Sequence, residues 1–215
     1  MASARKAFIL LGTAALLASC GLIAPSPAEL DAQAGAVINA SFRTQGIATV
    51  DRLRQDLAQS ACSGTQAPDD DTAQRIREQA QQSIRWPAGG QYFGDWAAGE
   101  RIAQSGRGMT WSDVSADPAA NGGNCYNCHQ IDQKELSHGT LGPSLWNYGK
   151  DRGIRDLQAP TAAPIIQYTW SKLWNSHAYL ACSSMPRFGQ QKLLNEEQIR
   201  HLMSLLLDPR SPVNR

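Results

Sequence analysis

The chain has 215 residues, 42% hydrophobic and 18% charged, with 20 Lys and Arg set against 19 Asp and Glu. That length suits one domain with an appendage and can bury a real core, which excludes disorder throughout. A formal net charge of +1 excludes the basic excess of a general nucleic-acid binder, and no run of about 18 apolar residues is present to span a membrane.

Arg5-Lys6 precede an apolar run from Ala7 to Ala18, interrupted only by Gly12 and Thr13. A basic start followed by a short apolar stretch is an export signal. Its end, Leu17-Ala18-Ser19-Cys20, resembles a lipobox, in which Cys20 becomes the first mature residue and carries the lipid. The alternative is a plain signal cut after Pro25. Either reading sends the mature chain to the periplasm, where its cysteines meet oxidising conditions.

Ser26-Pro27-Ala28-Glu29 predicts a helix start with a capping box. Val50, Leu53, Leu57 and Ala61 fall on one face of a second predicted helix ending at Cys62-Ser63-Gly64. A third opens on Asp69-Asp70-Asp71 and spaces Ala73, Ile76, Ala80 and Ile84 helically, before a break at Trp86-Pro87-Ala88-Gly89-Gly90. Residues 20–88 thus form a polar helical extension that packs on the C-terminal part of the chain. Asp95 caps a short helix with Trp96, Gly99 and Ile102, and Trp170, Leu173, Trp174 and His177 share a face of a later one. The terminal helix has Asn195 as N-cap and Gln198 at N3. Its stripe is Ile199, Leu202, Met203 and Leu206, and Asp208-Pro209 stops it. No run alternates like a strand, so the fold class is all-α.

Cys125-Tyr126-Asn127-Cys128-His129 has the spacing of a c-type haem attachment site. Two intervening residues let both sulfurs reach the two vinyl groups, and the adjoining histidine turns under the iron. A zinc site would want a second cysteine pair, and a dithiol of the thioredoxin type would want a βαβ setting. The cofactor expected is one covalently bound haem c. Candidates for the second axial ligand are Met109, Met185, Met203, His138, His177 and His201. Met203 belongs to an apolar stripe, and His177 reads better as a core or capping residue. Met185 sits in a Pro- and Gly-rich loop, Met185-Pro186-Arg187-Phe188-Gly189, and is the expected distal ligand. Pro143, in Gly142-Pro143-Ser144-Leu145, offers a carbonyl to the other imidazole nitrogen of His129. Gly99 lets the first and last helices of this region cross closely, with Leu202 and Leu206 expected opposite. With Cys20, Cys125 and Cys128 assigned, Cys62 and Cys182 remain as a predicted disulfide.

With these residues in place, the stretch from Gly94 to Pro209 resembles a class I cytochrome c, which makes 89–215 the expected cytochrome domain. More narrowly it resembles the SoxX family, the monohaem subunits of SoxAX cytochromes in bacterial thiosulfate oxidation. The match rests on Gly94-Asp95-Trp96 with Gly99-Glu100, Asn124 to His129, Gly139 to Leu145, Cys182 to Gly189, and Asp208 to Asn214. The resemblance implies covalent haem at Cys125 and Cys128, with His129 and Met185 as axial ligands. It implies a SoxA-type partner subunit, a SoxYZ carrier cysteine as acceptor of thiosulfate, and a downstream electron acceptor. The chain would be the electron-transfer subunit of an L-cysteine S-thiosulfotransferase, not catalytic alone. The expected partner surface is the haem edge with Tyr126, Gln130 and Phe188. One rival is an enzyme in its own right, such as a peroxidase or gas-binding cytochrome in which Met185 leaves the iron; the other is a free-standing periplasmic electron carrier, which would want a lysine ring for docking. Here Lys134, Lys150 and Lys172 are scattered among Asp132, Glu135 and Asp151.

Overall fold

The computed structural model describes residues 24–215, and the Cys20 assignment lies outside them. Among the described residues there is no strand, only an isolated bridge between Gln45 and Ala48, and the protein is all-α. The chain divides into two compact units, one ending at Phe42 and one spanning Arg43–Arg215. In the first, α1 (Pro27–Ser41) begins with the expected capping box: Ser26 Oγ accepts from the Glu29 N–H while the Glu29 carboxylate accepts from the Ser26 N–H.

The second unit holds residues 43–88 and 89–215 together. The predicted second helix is divided. A 3₁₀ turn covers Val50–Leu53, and α2 (Leu57–Cys62) starts afresh at Asp56, whose side chain accepts from the Gln59 N–H. The apolar period across this break was misleading, since Val50, Leu53 and Leu57 are exposed and have no core to face. Helix α3 (Asp70–Gln82) starts at the predicted acidic run, with Asp69 as its N-cap, and buries Ile76 and Ala80. Its end docks on α6 (Ala163–Trp174), where the indole N–H of Trp174 donates to the Ser83 carbonyl at 2.9 Å and that of Trp170 to Arg85 at 2.8 Å. Helix α6 stops at Trp174 because Asn175 is extended, so His177 lies in the following turn, Ser176–Ala178, and not on the helix face.

The core sits where α4 (Trp96–Gln104) crosses α7 (Glu196–Leu207) and α6 packs beside them, with Trp170, Ile199, Met203 and Leu207 wholly buried. Gly99 permits the crossing. A Cβ there would collide with the His201 carbonyl and lie 3.0 Å from Leu205 Cβ. The facing residues are thus His201 and Leu205, each one position before the residue expected. The Asp95 N–H donates to His201 Nδ1 at 2.8 Å, and Ser204 Oγ bridges both backbone groups of Gly94. The short helix α5 (Tyr148–Asp151) is held to the C-terminus by Asn214.

Candidate functional site

Cys125 to Asn127 form one 3₁₀ turn, entered through Asn124 in the left-handed region at φ 51°. The turn is pinned upstream to the end of α4: the Gly123 N–H donates to the Ile102 carbonyl and the Asn124 N–H to Ser105. Downstream, the segment 139–145 runs back along it. Gly139 donates to the Tyr126 carbonyl at 2.8 Å, Gly142 to Cys128 at 2.8 Å, and Leu145 to Gln130 at 2.7 Å. These three rungs bring Pro143 beside His129.

His129 Nδ1 lies 2.6 Å from the Pro143 carbonyl. A carbonyl only accepts, so Nδ1 carries a proton, and in the neutral ring Nε2 then holds the lone pair that could ligate. The ring occupies the space a side chain would take at residue 142; a Cβ on Gly142 would fall on the imidazole. Cys125 and Cys128 are unpaired with each other. Burial, reinforced by the neighbouring Cys128, pushes the Cys125 thiol up to about 12. It is therefore a neutral thiol, unlike the depressed thiolates of dithiol redox motifs. Among the described residues no group of three or more His, Cys, Asp or Glu is placed to hold a bare metal ion.

Met185 is half-buried and packs on the same core as Cys125, Tyr126 and Leu145. Its loop is clasped to the end of α6: Ser176 Oγ donates to the Met185 carbonyl at 2.5 Å, and the Trp174 carbonyl accepts from the N–H groups of Gly189 and Gln190. Gly189 lies against the Trp174 indole so closely that a Cβ would enter the ring. The predicted disulfide is present, Cys62 to Cys182 with Cα atoms 5.4 Å apart.

The other ligand candidates make contacts of their own. Met203 is core, His201 accepts from Asp95, and His138 Nδ1 pairs with the Gly139 carbonyl at 3.0 Å. The Met109 carbonyl accepts from Arg52 at 2.8 Å. His177 is buried with Nε2 3.2 Å from the Ser183 carbonyl, the core role expected. One expectation needs correcting: Phe188 is a core residue, 5% exposed, and cannot line a partner surface. Sequence reasoning missed the ion pair of Arg187 with Asp56 at 2.6 Å, for which two distant charges give no pattern. It also missed Gly142 as the cradle of the imidazole.

No protein-family model matches the chain. A protein of Aquifex aeolicus (strain VF5), described as an uncharacterized lipoprotein, is 33% identical over 216 residues, covering 94% of this chain and 97% of that one. The chain belongs to the family of that lipoprotein. Coverage of 94% is more than the Arg43–Arg215 unit alone makes up.

Proposed function

We propose that the protein is a monohaem c-type cytochrome of class I, and within that class the SoxX-type electron-transfer subunit of a SoxAX complex. The observation that carries the haem reading is the 2.6 Å contact from His129 Nδ1 to the Pro143 carbonyl, directly after two unpaired thiols. The donor set fits: Cys125 and Cys128 supply two thiols for thioether bonds, His129 a free Nε2, and Met185 a thioether on a clasped loop. When bound, the haem supplies a one-electron iron couple. Pro143 orients the imidazole and makes it a better donor, and Met185 would supply a thioether ligand, which would raise the potential. The chain then stores and passes electrons and leaves the sulfur chemistry to its partner.

The narrower SoxX reading rests on the sequence resemblance, above all Cys182 to Gly189 with the Asp208 to Asn214 tail. Lipid anchoring at Cys20, facing the periplasm, is supported by the lipobox and by the name of the Aquifex relative. Among the described residues no helix is long and apolar enough to cross a membrane.

The test is expression with haem-attachment machinery, followed by an alkaline pyridine spectrum and intact mass. One haem per chain, lost in a Cys125→Ser, Cys128→Ser double variant, is expected; a chain that matures without haem overturns the reading. Mixing with a SoxA-type subunit in the ultracentrifuge should give a 1:1 complex. A chain that stays monomeric beside a functional partner favours the free carrier.

A further inference from the structure

The disulfide between Cys62 and Cys182 lies at the edge of a small satellite core. It lines an open recess of about 270 Å³ shared with Gln59, His177, Ser183 and Ser184. Cys182 is exposed, while Cys62 is half-buried. Behind the bond there is little apolar cement: the satellite core of α2, α3 and the Cys182 segment comprises Ala58, Ile76 and Ala181, with Ala61, Cys62 and Ala73 against it. Such a cluster offers small apolar area, so the covalent bond and the Arg187–Asp56 pair hold α2 to the Met185 loop. The charges that act on His177 are Arg187, Lys172 and Asp56, a balance of one positive. Burial first, then Arg187, holds the His177 imidazole below its ordinary range, so it adds no charge at neutral pH.

We infer that this recess is a thiol–disulfide exchange site for small anionic sulfur nucleophiles of the thiolate class, and that opening the bond loosens the loop carrying Met185. The sulfur attacked is that of Cys182, the more exposed residue of the two and one that lines the recess. A new bond forms between the incoming sulfur and Cys182, and the Cys62–Cys182 bond breaks with its electron pair leaving on Cys62 Sγ, which takes a proton. A second thiolate attacks the external sulfur of that mixed disulfide and releases Cys182 as a thiolate, which is protonated in turn. Two external thiols become one disulfide, and one protein disulfide becomes two thiols. Accessible disulfides are the labile and regulatory ones, and this bond ends three residues before Met185. The loop effect rests on the proposed ligation by Met185; the exchange chemistry does not.

The test uses the folded, haem-loaded mature chain in glutathione buffers of graded poise, quenched with acid, alkylated and mapped by mass spectrometry. Expected are a glutathione adduct on Cys182, then alkylation of both Cys62 and Cys182 without denaturant. Amide exchange across Ser183–Gly189 should become roughly tenfold faster once the bond is open, and the methionine-to-iron band should weaken. A mature Cys62→Ser chain should take one glutathione on Cys182 from glutathione disulfide. A bond that opens only on global unfolding, or a Cys62→Ser chain that refuses the adduct, overturns the exchange site. Opening with unchanged exchange across the loop overturns the coupling. A chain without haem refutes the cytochrome reading yet leaves the mapping and amide-exchange readouts intact, so the two failures are distinct.

Discussion

Arg187 Nη1 lies 2.6 Å from Asp56 Oδ2, an ion pair closing 131 residues of chain. Asp56 is the N-cap of α2, and Cys62 at the other end of that six-residue helix is bonded to Cys182. A helix too short to stand alone is thereby fastened at both ends to the loop that carries Met185.

The ion pair predicts a pH dependence. Burial alone would raise the Asp56 carboxyl, but the Gln59 N–H and the Arg187 guanidinium outweigh it and hold it below the usual aspartate range. A lowered folded value means stability that is present above the unfolded pKa and is lost as pH falls through the folded one. The urea midpoint should therefore drop as acid is added below the ordinary aspartate value. Asp56→Asn, which keeps the cap, should flatten part of that slope; an unchanged slope would dissociate Asp56 from it.

Replacing both Cys62 and Cys182 by Ser should lower stability by up to roughly 4–5 kcal/mol in the chain-entropy account, given a separation of 120 residues. Urea titration of the oxidised parent against the double variant measures it.

Met185→Ala should leave haem attachment intact while lowering the reduction potential and abolishing the methionine-to-iron band. Redox titration with optical detection decides. An unchanged potential with the band still present would remove Met185 from the iron.

Gly142→Ala puts a methyl group where the His129 ring lies. The ring or the rung from Gly142 to Cys128 must shift, at a cost of about 1–3 kcal/mol, and haem content per chain should fall. Gly35→Ala, with open space around the new methyl group, is the control and should leave haem content unchanged.

Local signals were legible in the sequence. The capping boxes at Ser26 and Asn195 and the acidic helix start at Asp69-Asp70-Asp71 each lie within four residues, and all three form as read. Pro143 was legible because it lies 14 residues from His129 and the intervening loop simply folds back. Periodicity failed where no core enforced it, across Arg54-Gln55-Asp56, and where one extended residue, Asn175, ended α6 before His177. The Asp56–Arg187 pair could not be read at all. Charges that distant carry no spacing rule, and only the tertiary fold brings them together.

The covalent link between Cys62 and Cys182 makes a ring that contains the whole C-x-x-C-H turn, Pro143 and helices α3 to α6. Exposed stretches lie within it, with Val114 and Leu136 fully open to solvent. A protease cutting once beside either residue therefore severs the backbone without parting the molecule. The nicked protein should migrate as a single species on a non-reducing gel and separate into two fragments only after reduction.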